Sequence, residues 1–289
     1  MLVRLQVAFA KDSAAKKHGI RIMAVISARN EVEHLANTII SLRRQTMPIE
    51  KIIVINDGSE DGTGILARNH GCTVVDLPFH KDSYIGRPEL AECFNAGLKI
   101  AREENADYVL IVGADHPLPS DYVEKLVVRM ERNSKLMVAS GCIKGEPITE
   151  SAPRGSGRLI RGSFWRDLNG MQYPVVWGWE SWLCLKAQQM GYETICYRDI
   201  VTEVSRPTGL KKSNNLGKAM YALGYHWAYV LGRSFLTFLK SPKAGMSMFW
   251  GWFRHNDIER LDIAEWVNQM QKRKIFERFL QIIRHGGRT

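Results

Sequence analysis

The chain has 289 residues, 45% of them hydrophobic and 24% charged, which suits a globular protein of one large domain or a domain with an appendage. Its formal net charge of +10 hints at nucleic acid until it is located: the last 84 residues hold 15 Lys and Arg against 5 Asp and Glu, while the first 205 hold 25 of each. With no groove-reading motif beside that charge, nucleic acid is not an expected partner, and five cysteines without a Cys-x-x-Cys pair argue against a disulfide framework or a zinc site.

Residues 1–19 place Arg4 and Gln6 inside an apolar stretch with a Lys-rich end. That is a poor secretory signal and reads as a tail or a short amphipathic helix. From Ile20 strands and helices alternate. A buried strand over 22–26 ends in the polar turn 27–31, and Asn30 is placed to cap a helix over 31–45 that Pro48 stops. A second strand over 51–55 ends in Asn56-Asp57-Gly58-Ser59, and a short helix near 62–69 precedes a strand over 72–77. After a polar loop at 78–87 come a helix over 88–104, a strand over 107–113, a helix over 121–133 and a strand over 136–142. This order predicts an α/β fold with a mostly parallel, helix-covered sheet. Residues 143–177, rich in Gly and Pro, read as loops on one side of a site. A helix over 179–190 and a strand over 193–197 close the domain, and Arg206-Pro207-Thr208-Gly209 marks its boundary.

The character then changes. Leu216 to Leu239 reads as a long, aromatic-rich helix interrupted by Lys218, His226 and Arg233, and further helical patterns occupy 244–253 and 258–284. No stretch reaches the roughly 18–20 uninterrupted apolar residues of a bilayer span. Trp, Tyr and Phe mixed with Lys and Arg on such helices point to interfacial membrane binding, with a helical lid packed on the catalytic domain as the alternative. Three regions are therefore expected: 1–19, a catalytic domain over 20–205, and a basic, aromatic-rich helical region over 206–289.

Chemistry is expected at the strand ends. Successive parallel strands that both finish in polar loops make a nucleotide-sized crevice at the carboxyl edge of a sheet. There Asp57 can accept a hydrogen bond from a base N–H, although an ordinary Asp-Gly turn reads the same way. Ser27, Arg29 and Glu31 can line that crevice, and Glu31 alternatively sits in a first helical turn. Asp115 ends the apolar run VLIVGAD, where a carboxylate can hold Mg²⁺ or Mn²⁺ against a diphosphate. His116 is either a second ligand or a turn residue. Glu180 lies within Trp177-Gly178-Trp179-Glu180-Ser181-Trp182. Desolvation by indoles would raise its pKa toward that of a general base, and Trp177, Trp179 and Trp182 offer flat faces to a sugar acceptor. A helix-terminal Glu beside core tryptophans is the plainer reading.

SARNE (27–31), NDGSEDGT (56–63), FNAGL (94–98), YVLIVGAD (108–115), and WGWES (177–181) ahead of LCLKAQQMGYE (183–193) follow one another in this order. Over 21–205 this set resembles the GT-A-fold, nucleotide-sugar-dependent inverting glycosyltransferases of the large family two. The resemblance implies that Asp57 contacts the nucleobase and that Ser27, Arg29 and Glu31 line its pocket. It also implies that Arg87 reaches the diphosphate, that Asp115 is the metal-binding acid, and that Glu180 is the general base. The sequence departs from the family pattern at Gly113 and Asn56, where acids are usual, at Ser181 in place of Asp, and at Val204-Ser205, where many relatives carry a His. The function so implied is transfer of a sugar from a nucleotide-diphosphate sugar to a hydroxyl acceptor, and the basic, aromatic tail suggests that this acceptor is a lipid-linked glycan or polyprenyl carrier. Its setting would be the cytoplasmic face of a membrane, with peripheral attachment. A membrane adaptor that has lost its metal site and a sugar-phosphate nucleotidyltransferase are the alternatives, the latter disfavoured because ISARNE is not a triphosphate loop.

Overall fold

The computed structural model describes residues 19–206, 213–255 and 257–286, with side chains up to 277. The expected N-terminal helix and the Pro207–Gly209 boundary lie outside these residues. Seven strands form one sheet in the order β3-β2-β1-β4-β6-β5-β7, with β1 Ile22–Ala28, β2 Lys51–Asp57, β3 Thr73–Leu77, β4 Tyr108–Gly113, β5 Leu136–Ile143, β6 Arg158–Arg161 and β7 Glu193–Thr202. β1, β2, β3 and β4 run parallel, and β6 is antiparallel to both of its neighbours. The helices are α1 Leu35–Arg43, α2 Thr63–Asn69, α3 Pro88–Glu103, α4 Tyr122–Arg132, α5 Gly162–Asn169 and α6 Trp179–Gln189, followed by α7 Ser213–Ala222, α8 Trp227–Lys240, α9 Pro242–Phe253 and α10 Ala264–Gly286.

The central strands are apolar on both faces because helices cover both. Met23, Val25, Ile53, Ile55, Val109 and Ile111 share one core with Phe94 and Leu98 of α3 and Leu183 of α6. Their sequence neighbours Ile22, Ala24, Ile26, Val54, Leu110 and Val112 point the other way, to Leu35 and Ile39 of α1 and Leu126 and Met130 of α4. Gly97 lets α3 come close, since a β-carbon there would lie 2.7 Å from Ile55 Cδ1. Ser27 pairs with Ile55 on one side and Gly113 on the other, so β1, β2 and β4 end level at one edge.

Several expectations are corrected. Asn30 does not cap α1: its φ is +53°, its Oδ1 accepts from Glu60 N at 2.9 Å, and α1 begins only at Leu35. The region 143–177 is not all loop, because β6 and α5 lie inside it. The long helix expected over 216–239 breaks at Gly224, whose φ of +73° and contact with Ala264 leave no room for a side chain. Part of the region beyond 206 packs on the sheet domain, as the lid alternative would have it. Leu223, Leu261, Ile263 and Val267 belong to the core under α3 and α6, and Asp262 accepts from Trp182 Nε1 at 2.7 Å and Lys186 Nζ at 2.6 Å.

Candidate functional site

The level strand ends create the site. At the end of β2, Asp57 is buried, and its Oδ1 accepts from the Cys93 thiol at 3.1 Å and pairs with His80 Nε2 at 3.0 Å. Burial, then the Asp57 carboxylate, push the Cys93 pKa up, so the thiol stays protonated and donates. His80 stacks flat on Tyr84, with ring centroids 3.7 Å apart and planes within 4°. Arg29, just past β1, holds this loop by donating to the carbonyls of His80 and Asp82. Asp57 and Arg29 thus meet through loop 78–87.

Past the end of β4, Asp115 Oδ2 accepts from Arg206 Nε at 3.1 Å, and the same guanidinium donates to Glu31 Oε1. One cation bridges two carboxylates, which in turn raise the Arg206 pKa, with the Glu31 hydrogen bond contributing most. Glu31 Oε2 is buried without a partner among the described residues.

The antiparallel β6 brings a loop alongside. Ser156 Oγ accepts from Gly113 N at 2.7 Å, and a β-carbon at Gly113 would lie 3.2 Å from Ser156 Oγ and 3.3 Å from Asp115 Oδ1. One residue earlier, Gly155 lies against the carboxylate of Glu180, with a notional β-carbon 2.1 Å from Oε1. Glu180 is half-buried in the first turn of α6, where the helix dipole favours an anion. Arg158 in β6 fixes this arrangement by donating to the carbonyls of Glu180 (2.8 Å), Arg154 (3.1 Å) and Pro153 (2.9 Å). Its burial opposes the charge, but Cys184, Tyr173 and Glu180 outweigh it and the pKa rises.

The other sequence candidates sit differently. Ser27 lies between β2 and β4 at the edge. Arg87 pairs with Glu89 and, at 3.7 Å, with Asp82 rather than standing free for a diphosphate. His116 is 1% exposed, with Nδ1 bonded to Ser156 Oγ at 2.6 Å and Nε2 enclosed. Burial lowers its pKa to about 4, so it is neutral near pH 7. Through Nδ1 the ring braces the Ser156 loop, while Nε2 has no hydrogen-bond partner among the described residues.

Trp179 and Trp182 are buried core residues whose indole N–H groups donate to Arg87 O and Asp262 Oδ1, so neither offers the sugar platform expected of it. Trp177 is half-buried with Lys218 Nζ 4.7 Å from its ring centre. Cys93, Ser156, Arg158 and Arg206 were not singled out from sequence, and neither was His80. HKDSY (80–84), polar and aromatic just past a strand, was a usable signal for His80.

No group of three or more His, Cys, Asp or Glu side chains is placed to hold a metal among the described residues. Mg²⁺ and Mn²⁺ at nucleotide sites commonly take one or two carboxylates and complete their shell with phosphate and water oxygens. Asp115 beside the unpaired Glu31 Oε2 fits that sparse oxygen set.

Residues 23–182, more than half of the chain, match the family model described as Glycosyl transferase family 2. The chain belongs to that family. Among curated family relatives, it is 43% identical over 53 residues to a 4,4'-diaponeurosporenoate glycosyltransferase of Staphylococcus aureus, covering 18% of this chain and 14% of that protein. It is 29% identical over 130 residues to a poly-beta-1,6-N-acetyl-D-glucosamine synthase of Staphylococcus epidermidis, covering 44% of this chain and 28% of that protein. The matches thus span well under half of those proteins.

Among solved structures, the mannosyltransferase PcManGT of Pyrobaculum calidifontis, in complex with GDP-Man and Mn2+, superposes with a TM-score of 0.55 at 14% identity, covering 91% of this chain and 85% of that one. TarS of S. aureus with UDP-GlcNAc gives 0.52 at 14%, covering 84% and 75%. Mycobacterium tuberculosis glucosyl-3-phosphoglycerate synthase with Mn2+, UDP and phosphoglyceric acid gives 0.51 at 18%, covering 71% and 76%. At these identities the likeness establishes the GT-A fold.

Proposed function

We propose that this family 2 protein transfers a sugar from a nucleotide-diphosphate sugar to a hydroxyl acceptor, with inversion at the anomeric carbon. One observation carries the reading: Asp115 Oδ1 and Ser156 Oγ both flank Gly113 at the carboxyl edge of the sheet, and Glu180 Oε1 lies against Gly155, the residue before Ser156. The donors bound by the structural neighbours, GDP-Man and UDP-GlcNAc, support a nucleotide-sugar here.

In this reading the base lies by Asp57, with Ser27, Arg29 and Glu31 around it, and the diphosphate lies by Asp115 and Arg206. Mg²⁺ or Mn²⁺ held by Asp115 and phosphate oxygens would offset the leaving group's negative charge. Glu180 takes the proton of the acceptor hydroxyl as its oxygen bonds the anomeric carbon. The carbon–oxygen bond to the diphosphate breaks on the opposite face, and the electron pair leaves with the diphosphate. A half-buried carboxylate suits this work because it has fewer waters to shed.

The acceptor in this proposal is a lipid-linked glycan or polyprenyl carrier at the cytoplasmic face of a membrane, reached by peripheral attachment. The aromatic and basic helices after residue 213 support it, and among the described residues no helix is long and apolar enough to cross a membrane. Glu180→Gln tests the chemistry. Turnover should fall about 10²–10⁴-fold, while nucleoside-diphosphate binding by titration calorimetry with Mn²⁺ stays at the wild-type value. Full turnover in that variant would remove Glu180 from the mechanism.

A further inference from the structure

The α8–α9 hairpin is built inside out. Its buried positions are mostly small: Val230 and Ser234 on α8, and Gly245, Met248 and Gly251 on α9. At Gly245 a β-carbon would lie 2.5 Å from Phe238 N, and at Gly251 one would lie 2.2 Å from Asn214 O of α7. Backbone therefore packs on backbone, and the bulky side chains turn outward.

On α8, Trp227, Leu231, Phe235 and Leu239 recur every four residues along one face and are 43–65% exposed. On α9, Met246, Trp250 and Phe253 are 44–55% exposed, with the Phe253 ring 5.8 Å from Trp250 and Arg254 5.2 Å over that indole. Two adjacent helices that both present large apolar side chains to water form a binding surface rather than scattered exposure.

We infer that the α8–α9 hairpin is a docking element that lies in the headgroup layer of an anionic bilayer, with Trp227, Leu231, Phe235, Leu239, Trp250 and Phe253 inserted. It rests on the membrane placement proposed above and deepens it by naming the element.

Charge selects the occupant. No Asp or Glu occurs between Glu203 and Asp257, while Arg233, Lys240, Lys243 and Arg254 lie along the hairpin. An apolar stripe with a purely basic border matches anionic lipid, which attracts basic groups held near its surface, and Trp favours the interface itself. Fourteen residues of α8 reach about 21 Å, too short to cross but suited to lying flat.

The hairpin also connects to the chemistry. α7 rests on Gly178, where a β-carbon would lie 2.8 Å from Leu223 Cγ beyond its end and 3.2 Å from Ala219 O. Gly178 stands two residues before Glu180. A hairpin seated on lipid would hold the site at a fixed height above the membrane, within reach of a lipid-borne acceptor.

The test uses the full chain with phosphatidylcholine vesicles, with and without phosphatidylserine. Wild type should co-sediment with the anionic vesicles, and brominated lipid should quench its tryptophan fluorescence. Phe235→Ser with Leu239→Ser should lower the partition coefficient at least about tenfold, and Lys240→Glu with Lys243→Glu should remove the preference for phosphatidylserine. All four positions are exposed, so melting temperature should not move.

Donor hydrolysis without vesicles should be unchanged in every variant, so failure of the transferase reading would show separately from failure of docking. Wild type that does not bind anionic vesicles, or variants that bind them like wild type, overturns the inference. A concentration-dependent dimer abolished by Phe235→Ser with Leu239→Ser, with vesicle binding intact, would instead assign the face to a second copy of the chain.

Discussion

The carboxylate of Glu180 rests on the bare Cα of Gly155, where a β-carbon would fall 2.1 Å from Oε1. Gly155 is not in the left-handed region. Its substitution by alanine is therefore no backbone problem and acts by pushing the carboxylate away. A shift of about 1 Å in a reacting group can cost about 100-fold in rate. Gly155→Ala should accordingly fold with a near-native melting temperature, bind nucleoside diphosphate normally and lose about 10²-fold in turnover. Undiminished turnover would show that Glu180 does not work from this position.

His80 donates to Asp57 and stacks on Tyr84, a flat ring carrying an N–H where the proposal puts a nucleobase. Donor binding in this arrangement must displace the imidazole. His80→Ala removes that competitor, and the nucleoside-diphosphate Kd should fall about 3–10-fold, the equivalent of one neutral hydrogen bond. Asp57→Asn should weaken binding instead, because an amide nitrogen presents a donor to the base N–H. Titration calorimetry of both variants checks the pair. A higher Kd for His80→Ala would mean the imidazole helps to hold the base.

Much of this fold was legible because buried parallel strands leave a strong imprint. β1, β2 and β4 are unbroken apolar runs, each followed by polar residues, and Gly97 in FNAGL marks where α3 must approach Ile55. What was lost depended on long-range contacts. β6 has only four residues, with Arg at both ends, and the buried Arg158 makes sense only beside Glu180, 22 residues later. The tryptophans of 177–182 read as one aromatic platform. The helix instead directs Trp179 and Trp182 into the core, and a period of 3.6 does not say which side the core is on. Arg206 fell at the expected domain boundary, so its two carboxylate partners, 91 and 175 positions away, were invisible.

Arg206 and a divalent cation would compete for the same two carboxylates. In the absence of nucleotide the guanidinium neutralises Asp115 and Glu31 together. Removing it leaves two neighbouring anions unpaired, and a hard cation is the natural replacement. Arg206→Ala should therefore bind Mn²⁺ more tightly than wild type when no nucleotide is present, while Arg206→Lys should lie between them. Calorimetric titration with manganese chloride reads this directly. Equal affinities would place any cation site away from Asp115.

Asp262 fastens the start of the C-terminal region to α6 through Trp182 and Lys186. Burial raises its pKa, but the Lys186 and Trp182 hydrogen bonds together outweigh it, so the net shift is downward. A depressed carboxylate pKa stabilises the fold above the group's ordinary value, near 4, and that contribution is lost as pH falls through the folded-state value. Because the group is half exposed, the contribution is on the order of 1 kcal/mol, or about 2–4 °C in Tm. Asp262→Asn should melt lower than wild type by that amount at pH 7. The difference should shrink below about pH 4, where the wild-type carboxylate itself takes up a proton. Thermal melts of the two proteins from pH 7 to pH 3 decide the point: a gap that stays constant across the range would mean that the substitution disturbs packing rather than removing a charge.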